Sequence, residues 1–199
     1  MSQCDWGTAS YLIFSENVPS FIYYSHLLPF LASLLLAFFV LINNPKALVN
    51  RILFSVVVFF GLWVYFDLIL WASHLPEIVM FFWASIVPIE MLMYASSLYL
   101  ILVLVNNQQD ISLRKKIFIS LFFIPIILFT HTEYNLIGLS PDCDEGVIEG
   151  PLIQYMYIVE VLFILWGAIA VASGFRNLVS KDKIKEAKQL KKDRTSSKR

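Results

Sequence analysis

Five long apolar stretches constrain the fold of this chain more than any other feature. Each is long enough to cross a hydrocarbon core of about 30 Å, which takes about 20 helical residues. The composition agrees, because 58% of the residues are hydrophobic and the mean hydropathy is +0.70, more than one soluble core of this size can bury. The predicted spans lie near residues 21–42, 52–73, 77–105, 115–132 and 153–175. We therefore predict an all-α integral membrane bundle with five transmembrane helices.

The basic residues predict the orientation of these helices. All 15 Lys and Arg fall in the first loop, the third loop and the C-terminal tail, and the positive-inside rule places such segments in the cytoplasm. The N-terminal arm, the second loop and the fourth loop contain no Lys or Arg. Their eight acids are Asp5, Glu16, Glu77, Glu133, Asp142, Asp144, Glu145 and Glu149. The prediction is a multi-pass protein of the plasma (inner) membrane, with its N-terminus outside and its C-terminus inside.

Three regions follow from this arrangement. Residues 1–20 are predicted to form an extracytoplasmic arm, residues 21–180 a five-helix transmembrane domain, and residues 181–199 a basic cytoplasmic tail. No cleavable signal peptide is expected, because the first 20 residues lack a basic segment. The tail is typical of a solvated segment attracted to anionic lipid headgroups, and a short regulatory helix is the alternative.

Three acids lie inside predicted spans, namely Asp67, Glu90 and Glu160. An acid at the middle of a membrane helix costs about 2.5–3.5 kcal/mol to insert, so such residues are functional by default. No Lys or Arg lies in the three spans that hold them. They must therefore be protonated, hydrogen-bonded, exposed to a watery cavity or matched by a cationic ligand. Interhelical hydrogen bonding, a ligand or ion pocket, and a proton path all remain open.

Helical spacing places aromatic side chains beside these acids. Residues three, four or seven positions apart share a helix face, and the aromatic residues so placed are Trp63, Trp71, Trp83 and Tyr157. An acid surrounded by aromatic rings can bind an amine or another cation. The same residue types also form the interfacial belt of ordinary membrane proteins. The candidate ligand-binding residues are Asp67, Trp71, Glu90, Tyr157 and Glu160.

The two cysteines, Cys4 and Cys143, both fall in segments predicted to lie outside. An oxidising compartment favours a disulfide between them, which would close a loop of about 140 residues and contribute on the order of 4–5 kcal/mol in the chain-entropy model. Two unrelated free thiols, or metal ligands, are the alternatives. Two cysteines alone do not form a recognisable metal site, so no metal is predicted.

Prolines are expected to kink three of the predicted helices. Pro29, Pro88 and Pro125 each remove one backbone hydrogen bond from the first, third and fourth span respectively. Prolines of this kind are common in membrane helices.

Catalytic motifs do not occur in the sequence. There is no HExxH, no GxSxG and no glycine-rich phosphate loop. The three histidines, His26, His74 and His131, all fall near the predicted outer surface, which is typical of interfacial residues. We expect no enzyme activity, no catalytic residue, no cofactor and no nucleic-acid partner.

The whole pattern resembles the N-terminal seven-transmembrane region that precedes bacterial sensor histidine kinases. The resemblance is carried by "LINNPKALVNRILF", "GLWVYFDLILWAS", "FFWASIVPIEMLMYASSLYLILV" and "CDEGVIEGPLIQYMYIVEVLFILW" and extends over about residues 4–180. It implies a sensory input region of a two-component system and transfers no ligand or catalytic residue. The chain departs from the family because only five of seven helices are predicted and no kinase core follows. A truncated product, a fragment and a five-helix relative that works with a partner are the alternatives.

The predicted function is a membrane-embedded sensory or signal-input module without catalytic activity of its own. A small ligand of unknown identity, or a membrane state, would change helix packing, and the fifth helix would pass the change inward. The expected partners are the lipid bilayer and either a kinase or other signalling protein or a second copy of the chain. The main alternative is a small transporter or ion-conducting subunit that uses Asp67, Glu90 and Glu160, and an intramembrane enzyme is a third class.

Overall fold

The computed structural model describes residues 18–73, 75–139 and 147–196, with side chains described through residue 176. Cys4 and Cys143 lie outside these ranges, so their predicted disulfide is not addressed. Within the described ranges the chain forms six helices and two strands. In order they are α1 (Ser20–Asn43), α2 (Leu48–Ala72), α3 (Pro76–Val105), α4 (Leu113–Leu121), α5 (Phe123–Phe129), β1 (Leu136–Leu139), β2 (Val147–Glu149) and α6 (Pro151–Ser196).

Four of the helices are long and apolar enough to cross a membrane. They are α1, α2, α3 and the first 26 residues of α6, Pro151–Arg176. These helices confirm that four of the five predicted segments are apolar helices of membrane-spanning length, with boundaries that differ by a few residues. α3 begins as predicted, because Pro76 occupies its first turn and Glu77 lies beside it, where a missing N–H costs nothing and a negative charge complements the helix dipole. Pro29 and Pro88 lie inside continuous helices.

The prediction of one membrane-length helix over residues 115–132 is wrong. This segment consists of α4, with nine residues, and α5, with seven, separated at Phe122. Pro125 explains the break, because it has no N–H for the carbonyl one turn earlier and its ring crowds that turn. The Tyr155 hydroxyl donates to the part-buried Phe122 carbonyl at 3.0 Å. A hydrogen bond from α6 therefore supports the chain where the helix is interrupted.

The two short helices nevertheless run the height of the bundle. α3 and α6 are parallel, because Gly167 packs against Leu98 and Gly174 against Val105. The segment between them must return from the end of α3 to the start of α6. Ring contacts of Phe118 with Trp166 and of Phe122 with Phe163 show that it runs antiparallel to α6.

A short β-hairpin precedes α6, so the predicted all-α class is wrong in this detail. β1 and β2 pair antiparallel, with Leu136 opposite Glu149 and Leu139 opposite Val147. The Gly150 N–H donates to the Asn135 carbonyl at 2.7 Å. A Cβ at Gly150 would lie 2.2 Å from the Tyr134 carbonyl oxygen, so only glycine fits this close approach. We call this side of the bundle, where α3 and α6 begin, the hairpin end and the opposite side the tail end.

The helices pack as a row in which α2 contacts both α1 and α3, and α3 contacts α6. The buried core lies mainly along α3 and α6 and includes Val87, Met91, Leu98, Ile153 and Val159. α1 is the least buried of the four membrane-length helices, with Phe21, Leu35 and Ile42 more than 70% exposed. Large apolar side chains on the outer surface suit contact with lipid tails rather than with water.

α6 is much longer than a membrane requires. It continues past the predicted span end at residue 175 and past the predicted domain boundary at 180, and it ends at Ser196. Its 46 residues correspond to about 69 Å at 1.5 Å per residue. The lysine-rich segment up to Ser196 is therefore part of the same unbroken helix that packs in the bundle.

Candidate functional site

The three acids predicted inside the spans interact in pairs, between the hairpin end and the middle of the bundle. Asp67 on α2 interacts electrostatically with Glu90 on α3, and Glu90 does so with Glu160 on α6. We call these three residues the carboxyl cluster. Their meeting requires the antiparallel pairing of α2 with α3 and the parallel pairing of α3 with α6. Three elements of the bundle thus each contribute one acid to one place.

Asp67 has a protein partner that sequence analysis did not assign. Its Oδ2 lies 2.7 Å from Nε2 of His26 on α1. The other ring nitrogen, Nδ1, lies 2.7 Å from the Ile22 carbonyl and must donate to it. The pair is then either an imidazolium beside a carboxylate or a neutral imidazole beside a carboxylic acid. Both forms of the pair carry zero net charge, so His26 compensates the charge of Asp67.

Glu90 is half-buried and has a donor nearby but no cation. The Trp63 side chain on α2 lies within hydrogen-bonding reach of its carboxyl group. Tyr94 lies one turn further along α3, close enough to interact electrostatically with both Glu90 and Glu160. Glu90 is therefore bordered by an indole N–H and a phenol, groups that can solvate a carboxyl but cannot neutralise its charge.

Glu160 is the most buried acid of the cluster and lacks a partner for one of its oxygens. Its side chain is 7% exposed, and no hydrogen-bond donor among the described residues reaches its Oε1. A buried carboxyl oxygen without a donor is costly, on the order of 1–3 kcal/mol. Native structures keep few such atoms, and each calls for an explanation such as a ligand or a catalytic role.

The aromatic candidates divide into two groups. Tyr157, one turn before Glu160 on α6, interacts electrostatically with Glu90 and Glu160 and belongs beside the cluster. Trp71 is 52% exposed and makes no described contact with the three acids. The reason is helical drift, since two steps of four residues rotate a side chain by about 80° around the axis. Trp63 faces Glu90, so Trp71 turns away from it.

The cluster does not have the composition of a metal centre. No group of three or more His, Cys, Asp or Glu side chains could hold a metal ion in the part of the chain that the structure describes. What the arrangement can do is accept a proton or bind a monovalent cation, particularly one that also contacts aromatic rings.

A second polar network lies at the tail end. Asp110, in the loop after α3, accepts hydrogen bonds from the Lys116 ammonium at 2.5 Å and from the Tyr99 hydroxyl at 2.7 Å. The Lys116 bond, followed by the Tyr99 bond, holds the pKa of Asp110 below its usual value of 3.8. Lys116 also lies 5.6 Å from the centre of the Tyr99 ring. This acid is fully partnered and joins α3 to α4.

No protein family, no curated protein and no solved structure matches this chain. The resemblance to the membrane region of sensor kinases therefore stays an expectation that rests on the quoted sequence stretches alone.

Sequence reasoning missed two residues of the site, His26 and Tyr94. His26 was interpreted as an interfacial residue, although it lies on a predicted span at a depth similar to that of Asp67. An ionisable group at matching depth on the adjacent helix is a signal that pairing analysis could have used. Tyr94 follows Glu90 by four residues, so its position beside the acid was available from helical spacing.

Proposed function

We propose that this chain is a membrane-embedded signal-input module in which the carboxyl cluster receives the stimulus and α6 carries it inward. One observation supports the proposal above the others. Glu160, the buried acid with an unpartnered oxygen, lies on α6, the helix that continues without a break from the hairpin end through Ser196. A proton or ligand at Glu160 acts directly on the helix that leaves the bundle.

The energetics favour a change in packing at this point. Neutralising or pairing a buried carboxyl changes which contacts around it are stable. Two packings of α6 can therefore differ in stability when Glu160 is charged and when it is neutral. Among the residues that the structure describes, the titratable groups that face Glu160 are Glu90 and Tyr94 from α3 and Tyr157 on its own helix, and none of them is a cation. A rigid helix turns a small displacement near the hairpin end into one at the tail end.

The location and partners belong to the same proposal. The chain lies in the plasma (inner) membrane as a multi-pass protein, with the hairpin end outside and the extension of α6 in the cytoplasm. That extension contacts a kinase, another signalling protein or a second copy of the chain. The module itself catalyses no reaction.

A small transporter or ion-conducting subunit remains the second candidate, because three acids at membrane depth are typical of ion pathways. The surroundings of the cluster favour the first proposal. Next to the cluster, toward the tail end, lies an apolar cavity rather than a row of polar groups. An ion that left the carboxyls in this direction would meet only the hydroxyl groups of Ser33, Tyr94 and Ser97, with no second charged group among the cavity residues.

Spin-label distances test the proposal. In a Cys4→Ser, Cys143→Ser background, labels at Arg51→Cys on α2 and Ser173→Cys on α6 report on the tail end, where both native residues are exposed. Between pH 8 and pH 5 in lipid nanodiscs we expect the distance to change by on the order of 1–2 Å, the size of known helix shifts. Glu160→Gln should hold one distance at both pH values, because an amide cannot ionise.

Glu77→Gln is the matched control, since Glu77 is an exposed acid in the first turn of α3, and it should behave as wild type. An unchanged wild-type distance would contradict the signal-input proposal. Ion flux in proteoliposomes that depends on Glu160 without any displacement of α6 would favour the transporter.

A further inference from the structure

An apolar cavity of about 660 Å³ adjoins the carboxyl cluster. Four helices contribute to its wall, which consists of Pro29, Ala32, Ser33, Leu36, Val56, Val57, Phe60, Met93, Tyr94, Ser97 and Ile164. The volume lies in the range of ordinary small-molecule sites, about 300–1,000 Å³. The wall residues are mainly aliphatic or aromatic, so the cavity suits a hydrocarbon chain.

On all four helices the cavity residues lie on the tail-end side of the polar groups. On α6 the cavity residue Ile164 comes one turn after Glu160, and on α3 the stretch 93–97 follows Glu90. On α1 the cavity begins at Pro29, three residues after His26, and on α2 it begins at Phe60, three residues before Trp63. Every helix thus presents polar groups toward the hairpin end and apolar groups next to them, toward the tail end.

Tyr94 joins the two parts. It lines the cavity and also interacts electrostatically with Glu90 and Glu160. A ligand whose apolar tail fills the cavity would therefore bring its polar head against these carboxyls.

The charge of the site determines which polar head group a bound ligand would carry. His26 balances Asp67, which leaves Glu90 and Glu160 without a cation. The sequence contains no Lys or Arg before Lys46, between Arg51 and Arg114, or between Lys116 and Arg176. No Lys or Arg side chain near the hairpin end is thus available to neutralise these two acids. The buried, unpartnered Oε1 of Glu160 calls for a donor, and Trp63 and Tyr94 lie beside these acids; aromatic rings of this kind attract cations.

We propose that the cluster and the cavity together bind a cationic amphiphile, a single-chain alkyl amine. Its ammonium group lies between Glu90 and Glu160 beside Trp63 and Tyr94, and its alkyl chain fills the cavity. This inference rests on the proposed signal-input function and specifies the chemical class of its ligand. The bilayer itself supplies the route, because an amphiphile dissolved in lipid reaches the site with its tail at the correct depth.

Equilibrium binding of radiolabelled decylamine to the full chain in phosphatidylcholine nanodiscs tests the proposal, with protein-free nanodiscs subtracted. We expect saturable binding of one amine per chain. N,N-dimethyldecylamine should displace it, since its protonated form keeps the charge and one N–H donor, whereas decanol should not, since it keeps the tail and a hydroxyl but no charge. Displacement by decanol equal to that by N,N-dimethyldecylamine would overturn the proposal and leave only an apolar cavity.

Variants test the contacts of the ammonium head and of the alkyl tail separately. Glu160→Gln and Glu90→Gln should each weaken binding by about tenfold or more, the loss of a charge-assisted contact in a buried site. Glu77→Gln should bind as wild type. Val57→Phe, which fills the cavity without altering the carboxyls, should also weaken binding. Wild-type affinity in both amide variants would be fatal to the assignment of the head group.

A tryptophan pair controls for folding, because Trp63 lies at the cluster and Trp71 does not. Trp63→Phe should weaken decylamine binding and Trp71→Phe should not, and equal effects would contradict the geometry. The spin-label experiment distinguishes the two proposals. A pH-dependent displacement of α6 without amine binding refutes the ligand class and keeps the signal-input function. Amine binding without displacement keeps the site and refutes that function.

Discussion

Glu160 and Asp110 are acids at opposite ends of the same bundle, and their surroundings differ in every respect. Asp110 is exposed and accepts hydrogen bonds from Lys116 and Tyr99 at 2.5 and 2.7 Å. Glu160 is buried, with an oxygen that no described donor reaches. Asp110, which water could solvate, has two hydrogen-bond partners. Oε1 of Glu160, which water cannot readily reach, has none among the described residues.

This difference shows what each acid contributes. Pairing Asp110 with Lys116 fixes the turn between α3 and α4, and an exposed ion pair of this kind costs little to maintain. Burying Glu160 without a cation opposes folding, since charged and polar groups lose solvation inside the bundle. A bundle that needed only a fixed interhelical contact at this position would gain from an apolar residue. The buried acid is better explained by binding than by structure.

The largest expected effect comes from removing the buried acid. Glu160→Met keeps a flexible side chain of similar length and deletes the unpartnered carboxyl, so we expect the free energy of unfolding to rise by about 2 kcal/mol. Reversible unfolding in mixed micelles measures the change, with Glu77→Met as an exposed control that should stay near wild type. A clear loss of stability in Glu160→Met would show that the acid has a partner after all and would break the comparison.

A smaller effect should come from the one balanced acid of the cluster. Asp67 pairs with His26 across the α1–α2 interface at 2.7 Å, so each single alanine variant should lower the free energy of unfolding. A double-mutant cycle should give a coupling energy of about 1 kcal/mol, within the range measured for polar contacts between membrane helices. Additive single effects, with no coupling, would mean that the two side chains do not interact and that three acids, not two, lack a counter-charge.

The smallest effect belongs to Asp110. Its pKa is lowered by the hydrogen bonds from Lys116 and Tyr99, so the pair stabilises the fold at pH values above the usual carboxyl range. That contribution disappears as the pH falls through the lowered pKa. Carbon-13 NMR of the Asp110 carboxyl should therefore give a titration midpoint below 3.8, and Lys116→Met should move the midpoint upward. A midpoint at or above the usual value would contradict the network.

Much of the helical scaffold was predictable because membrane insertion depends on local sequence. The ends of α1, α2 and α3 follow directly from where apolar runs stop and where Pro76 and Glu77 stand. The division of the fourth span at Phe122 was not predicted, since Pro125 was expected to kink one continuous helix. A periodicity argument could not foresee that the interruption would leave two short helices with Tyr155 bonded between them.

The site was predicted less completely because it depends on contacts between distant segments. Hydropathy identified Asp67, Glu90 and Glu160 as costly acids, but only helix packing shows that they meet. The partner of Asp67 lies 41 residues away in sequence, beyond any local pattern. Trp71 was included because a spacing of four residues was treated as exact, whereas each step of four turns the side chain by about 40°. The β-hairpin was missed because strands of four and three residues give weak sequence patterns beside long apolar runs.

Carbodiimide labelling tests the central claim most directly, because it compares Glu160 and Asp110 in one sample. Dicyclohexylcarbodiimide is an apolar reagent that modifies carboxyl groups in apolar surroundings, and mass spectrometry of the full chain in nanodiscs locates the adduct. We predict that Glu160 is modified, that N,N-dimethyldecylamine, which cannot form an amide with the activated carboxyl, protects it while decanol does not, and that Asp110 stays unmodified throughout. Modification of Asp110 as fast as Glu160, or a Glu160 adduct that forms equally with and without the amine, would contradict the account.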